Sequence, residues 1–389
     1  MTRPGLLFYC QHSLGLGHAV RSFALATALS ERFRVVLACG GELPDGLAAA
    51  GEVEVVALPA LSASRNRALV SRDRNLGETR RRRRKLLLET LASVGPAAVV
   101  VELFPFGRRK FADELVPLLE AARGTTPRPL VVSSVRDLLV GRGPDQHAHD
   151  TLSCVLANGY LDAVFVHSDP RFARLEESFS PTIPLRVPVQ HTGFVVQETR
   201  AVGPANESEP RVVVSAGGGR VGAPLLRAAV AAWSHLPAGL RLEIVAGPFL
   251  PETVWTELSE AAQRTPGIDL HRFVPDLAER LRTAQVSASQ CGYNTALDLL
   301  RTGVPALVVP FVEEQEDEQT RRATRLERCG AVRMLDPEQL APETLAAEIQ
   351  ATLEFRPRRL DLDLSGAQTS VALLAGLLEA TAPAEAVAV

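Results

Sequence analysis

A short apolar strand, Leu6–Cys10, runs directly into the loop Gln11-His-Ser-Leu-Gly15-Leu-Gly17-His18, and a helical pattern starts at once. Strand, glycine loop and helix in that order belong to doubly wound α/β proteins, where ligands sit at strand carboxyl ends against helix N-termini. Glycines let backbone amides approach a ligand closely, and the positive end of the helix favours a negative group. The same dipole disfavours a protonated imidazole, so His18 is a candidate base. Taken alone, the loop reads equally well as an ordinary phosphate-binding turn, and the remainder of the chain has to decide.

The remainder repeats the rhythm. Strand candidates lie at Leu6–Cys10, Val35–Cys39, Val53–Ala57, Ala98–Glu102, Leu130–Ser134 and Ala163–His167. A helix is expected from Ala19 to Ser30, with Val20, Phe23, Ala24, Thr27 and Ala28 on its apolar face. Alternation of this kind predicts a parallel sheet covered on both faces. At Glu198–Pro210 the pattern gives way to a polar stretch with the proline, glycine and charge content of a linker. Alternation then restarts at Arg211–Gly219, with strands expected at Leu242–Ala246, Gln285–Ala288, Ala306–Val309 and Ala331–Leu335.

A chain of 389 residues is too long for one ordinary core. The expected architecture is therefore α/β, two Rossmann-like doubly wound domains facing across a cleft. Residues 1–197 form the first, 198–210 the linker, 211–365 the second, and 366–389 a C-terminal helix with a frayed tail. A net charge of −3 argues against a general nucleic-acid binder. Five scattered cysteines show neither a disulfide framework nor a metal-ligand spacing, which fits a reducing cytoplasm. Neither a secretory leader nor an apolar run of membrane-spanning length is read from the sequence.

One segment breaks the composition. Residues 65–85 hold nine arginines and one lysine against Asp73 and Glu78. The run Arg80–Lys85 reads first as a solvated helical face, and second as a peripheral contact with anionic lipid or a phosphate-bearing acceptor. His147-Ala-His149-Asp150 lacks a placed third ligand and reads as a surface loop rather than a metal site.

Three further segments carry chemistry. In Ser215-Ala-Gly217-Gly218-Gly219, glycines follow a strand and can turn amides toward a phosphate, with Arg220 as a possible ionic partner. In Ser287 through Pro305, Gly292 opens a helix on which Asn294 and Thr295 can meet a phosphate and Asp298 can accept from ribose hydroxyls. In Pro310 through Ala323, Glu318 and Gln319 stand where a loop returns toward the same cleft, suited to sugar hydroxyls. Each also has a plain reading as a turn, a capped helix or a solvated acidic helix start.

The order of these segments resembles inverting nucleotide-sugar glycosyltransferases of the two-Rossmann (GT-B) class. The resemblance is to the bacterial peptidoglycan GlcNAc transferase family (glycosyltransferase family 28-like), and most closely to a subgroup of predicted transferases whose segment matches Glu102–Lys110. It implies that Gly15 and Gly17 belong to an acceptor-side loop and that His18 is the general base. It also implies that Gly217, Gly218, Gly219, Arg220, Gly292, Asn294, Thr295, Asp298, Glu318 and Gln319 bind the donor, with Asp317 and Gln319 as the other candidate acidic–Gln pair. The implied donor is a UDP-sugar, UDP-GlcNAc among the candidates, and the implied acceptor a small-molecule or lipid-linked hydroxyl. Neither metal nor cofactor is expected, and the implied place is the cytoplasm, including the inner face of the membrane. Cys291-Gly292 stands where the family often shows Ser-Gly, Asp298 where Glu is commoner, and Arg322 where Asn is usual. Two other functions share the architecture: a nucleotide-sugar epimerase, for which only Glu102 offers an extra carboxylate, and a non-catalytic nucleotide-sugar-binding scaffold.

Overall fold

The structure, a computed structural model, describes residues 3–12, 17–41, 43, 51–63, 69–71, 75–141, 143–197, 210–312 and 317–381. Gly15, linker residues 198–209 and the tail beyond Thr381 lie outside the described residues.

In the first half the chain forms β1 (Gly5–Gln11), α1 (Gly17–Leu29), β2 (Arg34–Gly40), β3 (Val53–Leu58) and a short hairpin, β4 (Leu61–Ala63) with β5 (Leu69–Ser71). There follow α2 (Leu76–Val94), β6 (Ala98–Glu102), α3 (Ala112–Arg123), β7 (Leu130–Arg136), α4 (Gln146–Tyr160), β8 (Ala163–His167) and β9 (Val189–His191). Seven strands pair in parallel in the order β3-β2-β1-β6-β7-β8-β9. Side chains of β1 alternate between two cores, as the pleat requires: Leu7 and Tyr9 pack into one, Leu6, Phe8 and Cys10 into the other.

The second half supplies β10 (Arg211–Ser215), α5 (Ala223–Ala232), β11 (Arg241–Val245), α6 (Glu252–Arg264), β12 (Ile268–His271) and α7 (Leu277–Arg282). After these come β13 (Val286–Ser289), α8 (Tyr293–Thr302), β14 (Ala306–Val308), α9 (Glu318–Arg328), β15 (Arg333–Met334), α10 (Pro342–Leu353) and α11 (Gly366–Thr381). Six parallel strands run in the order β12-β11-β10-β13-β14-β15. In both sheets the chain reverses its direction of growth beside the first strand, between β1 and β6 and between β10 and β13. Such switch points open the crevices where doubly wound folds take ligands.

Two expectations need correction here. The apolar face of α1 is wider than the one read from the sequence: Phe23 and Ala28 are buried and Val20, Ala24 and Thr27 half-buried, while Ala19, Ser22, Leu25, Ala26 and Leu29 are buried as well. The reason is the final helix. Ala367, Val371, Leu374 and Ala375 of α11 join the core under α1, so α1 is covered on two sides. Nor is the Arg80–Lys85 run wholly solvated, because Thr79, Arg83, Leu87, Leu91 and Val94 form the buried face of α2. Arg83 is fully buried and ion-paired to Glu114 at 2.6 Å, and it also donates to Gln11 Oε1 at 2.7 Å.

Candidate functional site

The base candidate sits where the first switch point predicts. β1 delivers the chain to the start of α1, and β6 ends on Glu102, so His18 and Glu102 meet across the crevice. His18 Nδ1 lies 2.5 Å from Glu102 Oε1. Arg21 Nη2 donates to the same oxygen at 2.7 Å, and Arg108 Nε donates to Oε2 at 3.2 Å. Burial alone would raise the Glu102 carboxyl, but His18, Arg108 and Arg21 hold it well below the usual carboxylate range. An ionised Glu102 can only accept, so Nδ1 carries the imidazole proton and Nε2 keeps its lone pair. Burial, followed by the charge of Arg108, pushes His18 down to about 3 against the pull of Glu102. The imidazole is therefore neutral at pH 7, with Nε2 unprotonated.

The backbone around Arg108 is unusual. Leu103 and Arg108, both non-glycine, adopt positive φ angles of 62° and 57°. Side chains rarely tolerate that region, and such strain persists where the surroundings impose it. Its effect is to fold residues 103–108 back so that Arg108 returns to the carboxylate six residues earlier.

The second switch point is built from backbone. Gly219 has φ +86°, and a Cβ there would approach Ala246 O to 2.5 Å, so only glycine lets this turn pack against the loop after β11. The three amides are not equivalent. Gly219 N–H donates to Ala216 O at 3.0 Å, and Gly217 N–H donates to Ser215 Oγ at 3.4 Å. Arg220 is exposed and stacks over Phe249 at 5.7 Å. Gln290 ties the two loops of this crevice together: its N–H donates to Ser215 O, and its Nε2 donates to Val221 O.

Gly292 is the N-cap of α8, with extended backbone and no side-chain cap, which leaves the first amides of the helix directed at the crevice. Asn294 Nδ2 donates to Gly17 O at 3.2 Å, so the N-termini of α1 and α8 abut. Thr295 is buried behind them. One turn on, burial pushes the Asp298 carboxyl up to about 7, opposed by Arg301 and reinforced by Asp276.

Glu318 and Gln319 open α9 but face different tasks. Gln319 Oε1 accepts from Cys291 N–H and Phe311 N–H, both at 3.1 Å, and so pins the β13–α8 loop. Glu318 is ion-paired across the cleft with Arg136 at the end of β7. Asp317 Oδ1 accepts from Gly141 N–H at 3.1 Å, also across the cleft. Arg322 lies on the contact between the two halves. It is 2% exposed, grips Asp137 through Nε at 2.7 Å and Nη2 at 2.8 Å, and donates Nη1 to Cys291 O at 2.9 Å. Tyr293 stands between Arg21 and Arg322, 5.7 and 6.0 Å from the ring centroid, and its hydroxyl donates to His167 O at 2.9 Å.

Reading the sequence missed Arg21, Arg108, Arg136, Asp137 and Tyr293 altogether, and it weighed Glu102 for a different role. A common signal marks three of them: a charged residue at or just after the end of an apolar strand, as at Glu102, Arg136 and Asp137. His147 and His149 lie on α4, not in a loop. His147 meets Ser180 O and His149 meets Asp150. Among the described residues, no group of three or more His, Cys, Asp or Glu is placed to hold a metal ion.

Two parallel-sheet domains with facing switch-point crevices make this a two-Rossmann, GT-B protein. The calicheamicin glycosyltransferase CalG4 superposes with a TM-score of 0.64 at 20% identity, covering 98% of this chain and all of that one. MurG of Acinetobacter baumannii gives a TM-score of 0.54 at 16% identity over 96% of this chain and all of that one. Residues 216–372 match the glycosyltransferase family 28 C-terminal domain. In sequence it is 26% identical to the UDP-N-acetylglucosamine–N-acetylmuramyl-(pentapeptide) pyrophosphoryl-undecaprenol N-acetylglucosamine transferase of Methylorubrum extorquens strain PA1, over 97% of this chain and 98% of that protein.

Proposed function

We propose that the protein transfers a glycosyl group, with inversion, from a UDP-sugar such as UDP-GlcNAc to a hydroxyl of a small-molecule or lipid-linked acceptor. The observation that carries this reading is the neutral His18, held by Glu102 through Nδ1, at a crevice facing a family 28 domain. An acceptor hydroxyl placed at His18 Nε2 gives up its proton as its oxygen attacks the anomeric carbon and the nucleoside diphosphate departs. Glu102 is a positioning residue in this scheme, since it fixes the tautomer and stabilises the imidazolium that forms.

Charge on the leaving diphosphate would be met by the Gly218 amide and by the α8 amides from Gly292 through Thr295. Asp298 would accept from the ribose hydroxyls, and Glu318, once released from Arg136, from those of the sugar. Closure of the two halves over the substrates would exclude water from the bond being broken. The cation-rich face of α2 fits a peripheral contact with anionic lipid, because Arg81, Arg82, Arg84 and Lys85 are exposed. An epimerase reading loses its carboxylate: Glu102 is fully buried behind His18 and already bonded three ways.

The test is to incubate the purified protein with labelled UDP-, dTDP- and GDP-sugars, with and without membrane lipid extract. UDP-sugar turnover in the wild type, abolished by His18→Ala while UDP still binds, is the expected result. Tight donor binding without turnover under any condition would favour the scaffold and sink the transferase.

A further inference from the structure

His18 sits among more positive than negative charge. The groups that face it are Glu102 from β6, Arg21 from its own helix, Arg108 from the loop after β6 and Arg136 from the end of β7. From the other half of the molecule, Glu318 of α9 pairs with Arg136 and Asn294 of α8 donates to Gly17 O. Around this centre and the adjoining Asp137–Arg322 pair, the described residues place four buried or nearly buried guanidinium groups, Arg21, Arg108, Arg136 and Arg322. They place only three carboxylates, Glu102, Asp137 and Glu318.

The arginines differ in their access to the cleft. Arg21 and Glu102 are shut in beneath the surface, at 1% and 0% exposure, whereas His18, Arg108 and Arg136 are exposed by 15%, 15% and 13%. Both accessible arginines also have unspent donors. Arg108 Nη2 and Arg136 Nε are buried and find no hydrogen-bond partner among the described residues. A buried donor without a partner is costly, and two forked cations that both act on the His18 imidazole suit a doubly charged, multi-oxygen anion. The strained φ of Arg108 holds one of the two in place.

We propose that Arg108 and Arg136 form a binding site for a phosphoryl group of the substrate, directly beside His18. The proposal rests on the transferase reading only for what the substrate is; the site itself is defined by the arginines. Its consequence is a base that becomes stronger when the cleft is loaded. Arg108 and Arg136 both help to hold the imidazole down. A phosphoryl group between them cancels that charge, displaces Glu318 from Arg136, and lets His18 accept a proton more readily. Proton abstraction is thereby tied to substrate occupancy. The phosphoryl group belongs either to the donor diphosphate or to a phosphate on the acceptor.

The test uses the full chain and three probes by calorimetry: inorganic pyrophosphate, UDP and geranyl phosphate. Arg108→Gln and Arg136→Gln should each weaken pyrophosphate binding by about tenfold or more, the effect of losing a charged hydrogen bond. The exposed control Arg227→Gln should leave it unchanged. A parallel loss for UDP assigns the group to the donor, and a loss for geranyl phosphate alone assigns it to the acceptor. Unaltered binding of all three probes in both variants overturns the proposal. A second measurement needs no variant of the arginines. Histidine NMR of the wild type, with His18 assigned through His18→Ala, should show its titration moving up by about one pH unit or more when pyrophosphate is added. An unmoved titration with pyrophosphate bound overturns the proposal as well. Failure of sugar transfer would leave both measurements readable, so the two readings fall separately.

Discussion

The two switch-point crevices are topologically alike and chemically opposite. Between β1 and β6 the wall is made of side-chain charge, with His18, Glu102, Arg21 and Arg108 within one hydrogen-bonded cluster. Between β10 and β13 it is made largely of main chain: a glycine turn and an uncapped helix start, with the Asp298 carboxylate a turn further on. The difference suits the work each side is proposed to do. Moving a proton needs a group whose affinity for it is set by neighbours, whereas holding a diphosphate needs fixed dipoles that do not titrate.

The largest expected effect breaks the charged crevice. Glu102→Gln keeps the shape but removes the negative acceptor that fixes the His18 tautomer, so turnover should fall about 10²–10⁴-fold, the range for general base work. Steady-state kinetics with the best UDP-sugar checks it, and a KM change without loss of kcat would show that Glu102 only shapes the site. The next largest effect separates the two crevices. Asp137→Asn leaves Arg322 buried without its counter-charge, which should cost about 3–5 kcal/mol. Urea denaturation followed by circular dichroism reads the loss, and an unchanged midpoint would remove Arg322–Asp137 as the clamp between the halves.

A smaller effect sharpens the backbone crevice. The carboxyl of Asp298 titrates near 7 in the folded chain and near 3.8 when unexposed to its neighbours, so the folded state binds the extra proton between those values. Stability should therefore fall as pH rises through that window, and Asp298→Asn should relieve the loss at pH 8. The same change should weaken UDP binding by about tenfold, one hydrogen bond to ribose. His18 and Glu102 push the other way: both bind fewer protons folded than unfolded, so their contribution rises with pH below about 6.5. Melting temperatures from pH 4 to 9 for wild type and Asp298→Asn decide the matter; parallel curves would refute the Asp298 assignment.

What the sequence discloses follows the range of the interaction. Strand, loop and helix order is local, and from Leu6–Cys10 to Ala306–Val309 the expected strands lie within a residue or two of the observed ones. Strands without a β-branched run escaped notice, as β9 did with Val189-Gln-His191. The partners of the site residues were invisible because they are remote: Glu102 lies 84 residues from His18, and Asp137 lies 185 from Arg322. Arg83 was hidden differently, as one of five consecutive arginines. Its four-residue spacing from Thr79 and Leu87 was the available sign that it turns inward.

The last helix carries a consequence for how this protein is made. α11 is encoded beyond the whole C-terminal sheet, yet it closes the core under α1, and the chain reaches it through Asp363, whose N–H and C=O bond to Asp169 and Phe194. A ribosome releasing the first 200 residues has emitted a sheet with one flank bare. That flank stays bare until residues 366–381 have followed the second sheet out, so the half that is synthesised first waits on the second for its completion.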